Sequence, residues 1–567
     1  MYVREKTING YTYLYLVESV REGSRTKQRI IKNLGRKERV LEQGDLERLA
    51  SSVSRYAEHA LVLSALAKGE LSGLECRRIG PPLLFGRLWE ITGCRAVIER
   101  LLEERAFEFP VERAIFVTVL HRLMVSGSDR SCEQWLVDYA IPESDGLQLH
   151  HFYRAMAWLG EELAAEEQHG ATPFAPRCVK DLIEEQLFER RRDLFTELSL
   201  VFLDTTTLSF TGQGGETLGR RGNSKDYRPD LMQMVLAVVM DGEGRPVCTE
   251  MWPGNTADVT ALLPIIDRLR ARFAIGRVCV IADRGMISAA TMKGLEERKL
   301  DYILGARERS DPLIRQVVLE DKKPFTPLCI TKAKGQAALR AGRRPKPRDE
   351  TQLWVKEVMI GEKRYIVCRN EAEANKDAAD RAAVLEGLER QLKKGDKALI
   401  GNSAYRRLLR ASGKTTDKAF QIDPGKVADE ARFDGIFVLR TNAAISSLQA
   451  VLRYRDLLQV ETLFRSAKAL MRTRPIYHQS DAAIRGHVFC SFLALVLQKE
   501  LADRCSAQDF KPEWGDVLRD LDRLQEIDIT KDGKRIVLRT PTTGTAGRLF
   551  QAAGVALPPH IREHAAA

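Results

Sequence analysis

Three acids stand out by the residues around them. Asp204 follows the run Leu198-Ser-Leu-Val-Phe-Leu and opens a threonine cluster. Asp283 closes the apolar run Val278-Cys-Val-Ile-Ala and is followed by Arg-Gly. Glu461 lies in Tyr454-Arg-Asp-Leu-Leu-Gln-Val-Glu-Thr-Leu-Phe-Arg-Ser-Ala-Lys468. Carboxylates are hard oxygen ligands, and with no His/Cys cluster beside them they suit Mg²⁺ or Mn²⁺ rather than zinc. Two such ions about 4 Å apart activate a nucleophile and stabilise a leaving 3′ oxygen in an in-line phosphoryl transfer.

The elements that must carry these acids can be read from periodicity. The Leu/Val/Phe run before Asp204 has β propensity. The stretch before Asp283 predicts a short buried strand, with Ser288 as N-cap of the helix after it, and strand ends are where open α/β sheets place their sites. Tyr454, Glu461 and Lys468 are each seven residues apart, nearly two turns, so on a helix they share one face. Leu457, Val460, Phe464, Ala467 and Met471 give that helix its apolar stripe. Between the first two acids, Leu231–Met240 and Arg245–Trp252 read as strands around the turn Asp241-Gly-Glu-Gly, and Asp258–Arg272 as a helix. A fifth strand follows at Asp301–Arg307.

A strand acid, a strand-end acid and a helix acid, in that order, resemble the way ribonuclease-H-like nucleases and transposases bring three carboxylates together. The chain resembles the DDE transposases of bacterial insertion sequences, in the family (family four) with a Tyr-x2-Arg-x3-Glu-x6-Lys signature. Tyr454, Glu461 and Lys468 fit the signature, whereas Leu457 stands at the arginine position. Gly222-Asn-Ser-Lys-Asp-Tyr-Arg-Pro-Asp230, Trp252-Pro-Gly-Asn-Thr-Ala-Asp258, and Arg474-Pro-Ile-Tyr-His478 with Gly486-His487 extend the likeness. The resemblance implies a mixed-sheet α/β fold with a ribonuclease-H-like core. It implies Asp204, Asp283 and Glu461 as catalytic and metal-holding residues, with Asp204 bridging two Mg²⁺ or Mn²⁺ ions. Tyr454 and Lys468 would grip a terminal DNA phosphate, Arg465 or Arg455 would stand in for the missing arginine, and Lys225 and Arg228 would follow the same strand. Its partners would be the element's terminal inverted repeats and target DNA, bound by a homodimer.

Composition bounds the remainder. The chain has 567 residues, 44% hydrophobic and 29% charged, with net charge +11, as expected for several globular domains with a polyanionic partner. The longest apolar run, from His487 to Leu497, is too short to span a bilayer. Ten scattered cysteines without a C-x-x-C pair, and no signal-peptide pattern at the first residues, point to a reducing cytoplasm.

Residues 1–75 read as a small β unit and a long helix, with Tyr11, Tyr13 and Tyr15 on one strand face, against nucleic acid or against the helix. Residues 76–195 read as helical, with His150, His151 and Arg154 near the second helix of a possible DNA-end-binding turn. The core is expected at 196–325 and 431–510, around an inserted α+β domain at 326–430 that opens with the basic tract from Lys332 to Arg348. Residues 511–567 form a tail with a hairpin. Two other readings remain open at this point: a DNA-binding protein whose catalytic domain is inactive or regulatory, and a ribonuclease-H-like nuclease without strand transfer.

Overall fold

The computed structural model describes residues 2–22, 25–42, 72–125, 127–172, 175–191, 200–225, 228–273, 278–306, 311–331, 350–393, 407–412, 419–457, 476–531 and 534–564. The chain divides into two compact units. The first joins residues 1–77 to 525–541 and 558–567. Its amino-terminal strands Tyr2–Ile8, Tyr11–Glu22 and Arg25–Arg36 form an antiparallel meander. Asn9 and Gly10, at φ 51° and 78°, make its first turn, the left-handed pair that suits the twist of a two-residue hairpin. Leu14 and Val17 are buried, whereas Tyr11 is exposed beneath the Arg36 guanidinium, 3.3 Å from the ring centroid. A helix is described over Lys37–Glu42, and the rest of the range expected for the long helix lies outside the described residues. A second sheet pairs Ser72–Arg78, Gln525–Lys531, Lys534–Arg539 and Ile561–His564.

The second unit, Arg78–Leu524 with Thr542–Leu557, begins with six helices. These are α1 (Gly80–Ile91), α2 (Cys94–Leu102), α3 (Val111–Met124), α4 (Asp129–Leu136), α5 (Leu149–Leu159) and α6 (Val179–Arg191). All fourteen residues of α3 are buried, so it is the central helix of this bundle rather than a surface one. At the start of α5, the His151 Nδ1 accepts from the Gln148 N–H at 3.0 Å and its ring stacks on Phe109.

The sheet follows: β1 (Leu200–Ser209), β2 (Gln233–Met240), β3 (Pro246–Pro253), β4 (Cys279–Ala282), β5 (Asp301–Gly305), β6 (Thr326–Thr331), β7 (Glu350–Ile360), β8 (Lys363–Arg369) and β9 (Ile436–Thr441). Helices α7 (Asp258–Phe273) and α8 (Ala289–Glu297) connect β3 to β4 and β4 to β5. Across the sheet the order is β6-β7-β8-β9-β5-β4-β1-β2-β3. Strand β2 pairs antiparallel with both β1 and β3, and β4 and β5 are parallel to β1. That is the ribonuclease-H-like arrangement expected from the sequence. Strands β6 to β9 continue the same sheet by antiparallel pairing, so the hairpin after the basic tract extends the core sheet.

Every residue of β2 and β3 is buried, in keeping with a sheet covered on both faces. One face packs against α7, with Val201, Leu203, Ala261, Ile265 and Leu269 in one apolar cluster. The other holds Phe202, Leu208, Ile281, Val451 and Leu457, where a helix over 447–457 lies against it. The last long helix, α9 (Asp481–Ala507), is long and apolar enough by composition to cross a membrane, yet 78% of its most apolar window is buried inside the protein. It crosses α5 at close range: a Cβ on Gly486 would stand 1.9 Å from the Met156 carbonyl oxygen, and one on Gly160 1.9 Å from that of Ala482.

Candidate active site

Strands β1 and β4 place the first two acids. Their parallel register pairs Leu203 with Ala282, so Asp204 and Asp283 occupy the next step on neighbouring strands, a spacing of about 4.8 Å between backbones. Side chains alternate along β1, which turns Asp204 toward the face of Phe202 and Leu208 and Thr205 toward α7. The Asp204 Oδ1 accepts from the Thr205 N–H at 2.7 Å, a contact that fixes one carboxylate oxygen against the strand. Asp283 is exposed, in extended conformation at φ −73° and ψ 162°, at the entry to the turn Arg284–Met286.

The helix over 447–457 adds Tyr454, whose phenol donates to Asp283 Oδ1 at 3.3 Å while its ring stacks on Phe437. Leu457, at the arginine position of the signature, is 6% exposed within the apolar cluster of that sheet face. A side chain there is committed to the core, which is why leucine serves. Arg455 has its Nη1 buried without a hydrogen-bond partner. Glu461, Arg465 and Lys468 lie outside the described residues, as does the basic tract from Lys332 to Arg348. The chain on either side of the Glu461 stretch is described. Leu457 before it and Ile476 after it belong to the same apolar cluster. Ile476 also bridges to the end of β1: its N–H donates to the Ser209 carbonyl at 3.2 Å, and its own carbonyl accepts from Thr211 at 2.9 Å.

The two basic residues expected to follow DNA are both engaged by acids. The Lys225 ammonium donates to the Thr205 carbonyl and hydroxyl, each at 2.7 Å, and lies 3.1 Å from Asp258 Oδ2. Arg228, on the surface, pairs with Asp230 at 2.8 Å. Asp258 is the residue that sequence reasoning passed over. It lies in the Trp252–Asp258 motif, but an acid in the first turn of a helix reads as a dipole partner, and the side chain it meets is distant in sequence.

Among the described residues, one group of three could supply metal-ligand atoms: Asp129, His478 and His487, all within 4.8 Å of one another. No spacing in the sequence announces it, since Asp129 arrives from α4. The His478 Nε2 lies 3.1 Å from Asp129 Oδ2 and 3.2 Å from His487 Nδ1. Arg122 of α3 already supplies the cation here, with Nη2 2.9 Å from His487 Nδ1 and 3.7 Å from Asp129 Oδ1. Burial would raise the Asp129 carboxyl, but the His478 hydrogen bond and the nearby Arg122 guanidinium hold it well below the carboxylate range. Burial, reinforced by Arg122, pushes His487 well below the usual imidazole range. A divalent ion would bring two more positive charges beside a buried guanidinium, so this cluster reads as a protein-only seam between α3, α4 and α9.

A family model described as "Transposase DDE domain" matches residues 196–497, and one described as "IS1634 family transposase, N-terminal domain" matches residues 3–64. No curated protein matches the chain. Among solved structures, the cryo-EM structure of the piggyBac transposase synaptic complex with hairpin DNA is similar at 13% identity and a TM-score of 0.37. That likeness covers 78% of this chain and 79% of that one, and is too distant to carry an argument about the site. The transposase-domain match spans more than half of the residues, and on that ground the chain belongs to the DDE transposases of insertion sequences.

Proposed function

We propose that this transposase cuts DNA at the ends of its element and joins the freed 3′ hydroxyls to target DNA in one site, by a cut-and-paste route. The observation that carries the reading is that Asp204, within β1, and Asp283, directly after β4, each stand one residue beyond the Leu203–Ala282 pair of the parallel register. The apolar anchors at Leu457 and Ile476 support Glu461 as the third acid, because the chain bearing it starts and ends on the same sheet face.

The donor set is oxygen only, which fits Mg²⁺ or Mn²⁺. Asp204, Asp283 and Glu461 would hold the ions. When bound, the ions supply Lewis-acid stabilisation of the charge that develops on the attacking and leaving oxygens. The protein's own part is orientation. The Thr205 N–H holds one Asp204 oxygen, and the Tyr454 phenol holds one Asp283 oxygen. Lys468, Arg465 and Tyr454 are assigned to a terminal phosphate, and Lys225 and Arg228 border the strand's path. Two element ends brought together call for a homodimer at work, in the bacterial cytoplasm.

Supplying a labelled linear element end, a target plasmid and Mg²⁺ tests this directly. Joined products are the expected result. Cut ends that never join would replace the reading with a nuclease, and binding without cutting with an inactive, DNA-binding relative.

A further inference from the structure

Behind Asp204, on the opposite side of its strand, the Asp258 carboxylate and the Lys225 ammonium close on Thr205. The Thr205 hydroxyl donates to Asp258 Oδ1 at 2.8 Å and accepts from the Lys225 ammonium at 2.7 Å. The same ammonium donates to the Thr205 carbonyl at 2.7 Å and pairs with Asp258 Oδ2 at 3.1 Å. Lys225 is anchored again through its backbone, whose N–H donates to the Thr207 hydroxyl at 3.0 Å. Thr205 is thus held at hydroxyl and carbonyl, while its remaining polar group, the N–H, holds Asp204 Oδ1.

Asp258 reaches the second acid as well. A Cβ on Gly285 would lie 3.6 Å from Asp258 Oδ2, so the turn leaving Asp283 passes directly against this carboxylate. Asp258 opens α7, where the helix dipole favours a negative charge, and the ion pair keeps Lys225 balanced. Without that carboxylate, the Lys225 ammonium beside Thr205 would lose the counter-charge of Asp258.

We infer that Asp258, with Lys225 and Thr205, is a positioning residue that sets the orientation of Asp204 and the Asp283 turn for divalent-ion binding. The inference rests on the reading of Asp204 and Asp283 as the metal-holding acids. Groups that orient a metal ligand through a hydrogen bond commonly change metal affinity by about tenfold to a hundredfold when removed. Asp258 stands on the α7 side of β1 rather than on its acid-bearing side, so its effect passes through Thr205 and not through an ion.

The test measures Mn²⁺ binding to the full chain by loss of the free-ion paramagnetic resonance signal, with element-end binding in the absence of metal as a second readout. Asp258→Asn and Thr205→Val should each weaken Mn²⁺ binding by about tenfold or more. Thr205→Ser, which keeps the hydroxyl, should bind like the wild type. DNA-end binding without metal should stay within about twofold in all three. A core truncation on the same helix, Ile265→Val, calibrates the effect of lowered stability and should leave Mn²⁺ binding in place. Wild-type Mn²⁺ affinity in both Asp258→Asn and Thr205→Val would overturn the inference. If instead the wild type and Asp204→Asn bind Mn²⁺ alike, the assignment of the metal-holding acids itself has failed.

Discussion

Asp204 and Asp283 owe their proximity to strand pairing but their orientation to two different donors, the Thr205 N–H and the Tyr454 phenol. The consequences of removing each group therefore differ in size. Asp204→Asn or Asp283→Asn keeps the shape and removes the charge, and either should lower metal-dependent cleavage by about three orders of magnitude, the scale of losing a principal electrostatic contributor. Binding of element ends, assayed by gel shift without metal, should survive in both. Tyr454→Phe loses one hydrogen bond to a carboxylate that stays in place, so a drop of about fivefold is expected. Retained cleavage in either acid variant would remove that residue from the site.

Two seams between elements deserve the same treatment. Helices α6 and α7 and strand β3 meet through buried charges: Arg272, 1% exposed in its side chain, pairs with Asp181 at 3.1 Å, Glu184 at 2.6 Å and Glu250 at 3.1 Å. Arg268 pairs with Glu250 at 3.0 Å, and Lys180 with Asp181 at 2.7 Å. Losing one partner of such a network leaves the others charged and buried, so Arg272→Met should cost about 3–5 kcal/mol in urea unfolding.

The second seam, between α3, α4 and α9, is pH-sensitive. Burial, reinforced by Arg122, pushes His121 down to about 4, from 6.5 for an unperturbed imidazole. In the unfolded chain His121 takes up its proton near pH 6.5, so between pH 6.5 and 4 the unfolded state binds more protons. Stability is then fully present above about pH 6.5 and falls as the pH drops toward 4, by on the order of 3 kcal/mol for this group. Urea midpoints at pH 7, 5.5 and 4.5 should show the decline, and His121→Gln should flatten it.

At the scale of the whole molecule, two compact units are built from a chain that leaves one and returns to it: residues 1–77 join residues 525–541 and 558–567 in the first. Hydrophobic periodicity and turn chemistry cannot announce such a return, because both are local signals. What the sequence determined by itself was local. Apolar runs became β1, β2, β4 and β5, and Ser288 became the N-cap of α8, accepting from the Thr291 N–H at 3.0 Å. It also marked Asp204, Asp283 and Tyr454, because an acid after a buried strand and a residue at helical spacing are legible from near neighbours. Tertiary structure alone decided that Asp204 and Asp283 stand side by side, that Leu457 belongs to the core, and that Asp258 and Lys225 meet over Thr205. It alone brought Asp129 to His478 and His487. The physical reason is that strand register and helix docking are set by burying complementary surfaces from distant parts of the chain. A hydrogen bond between two such parts exists only after that burial has chosen their alignment.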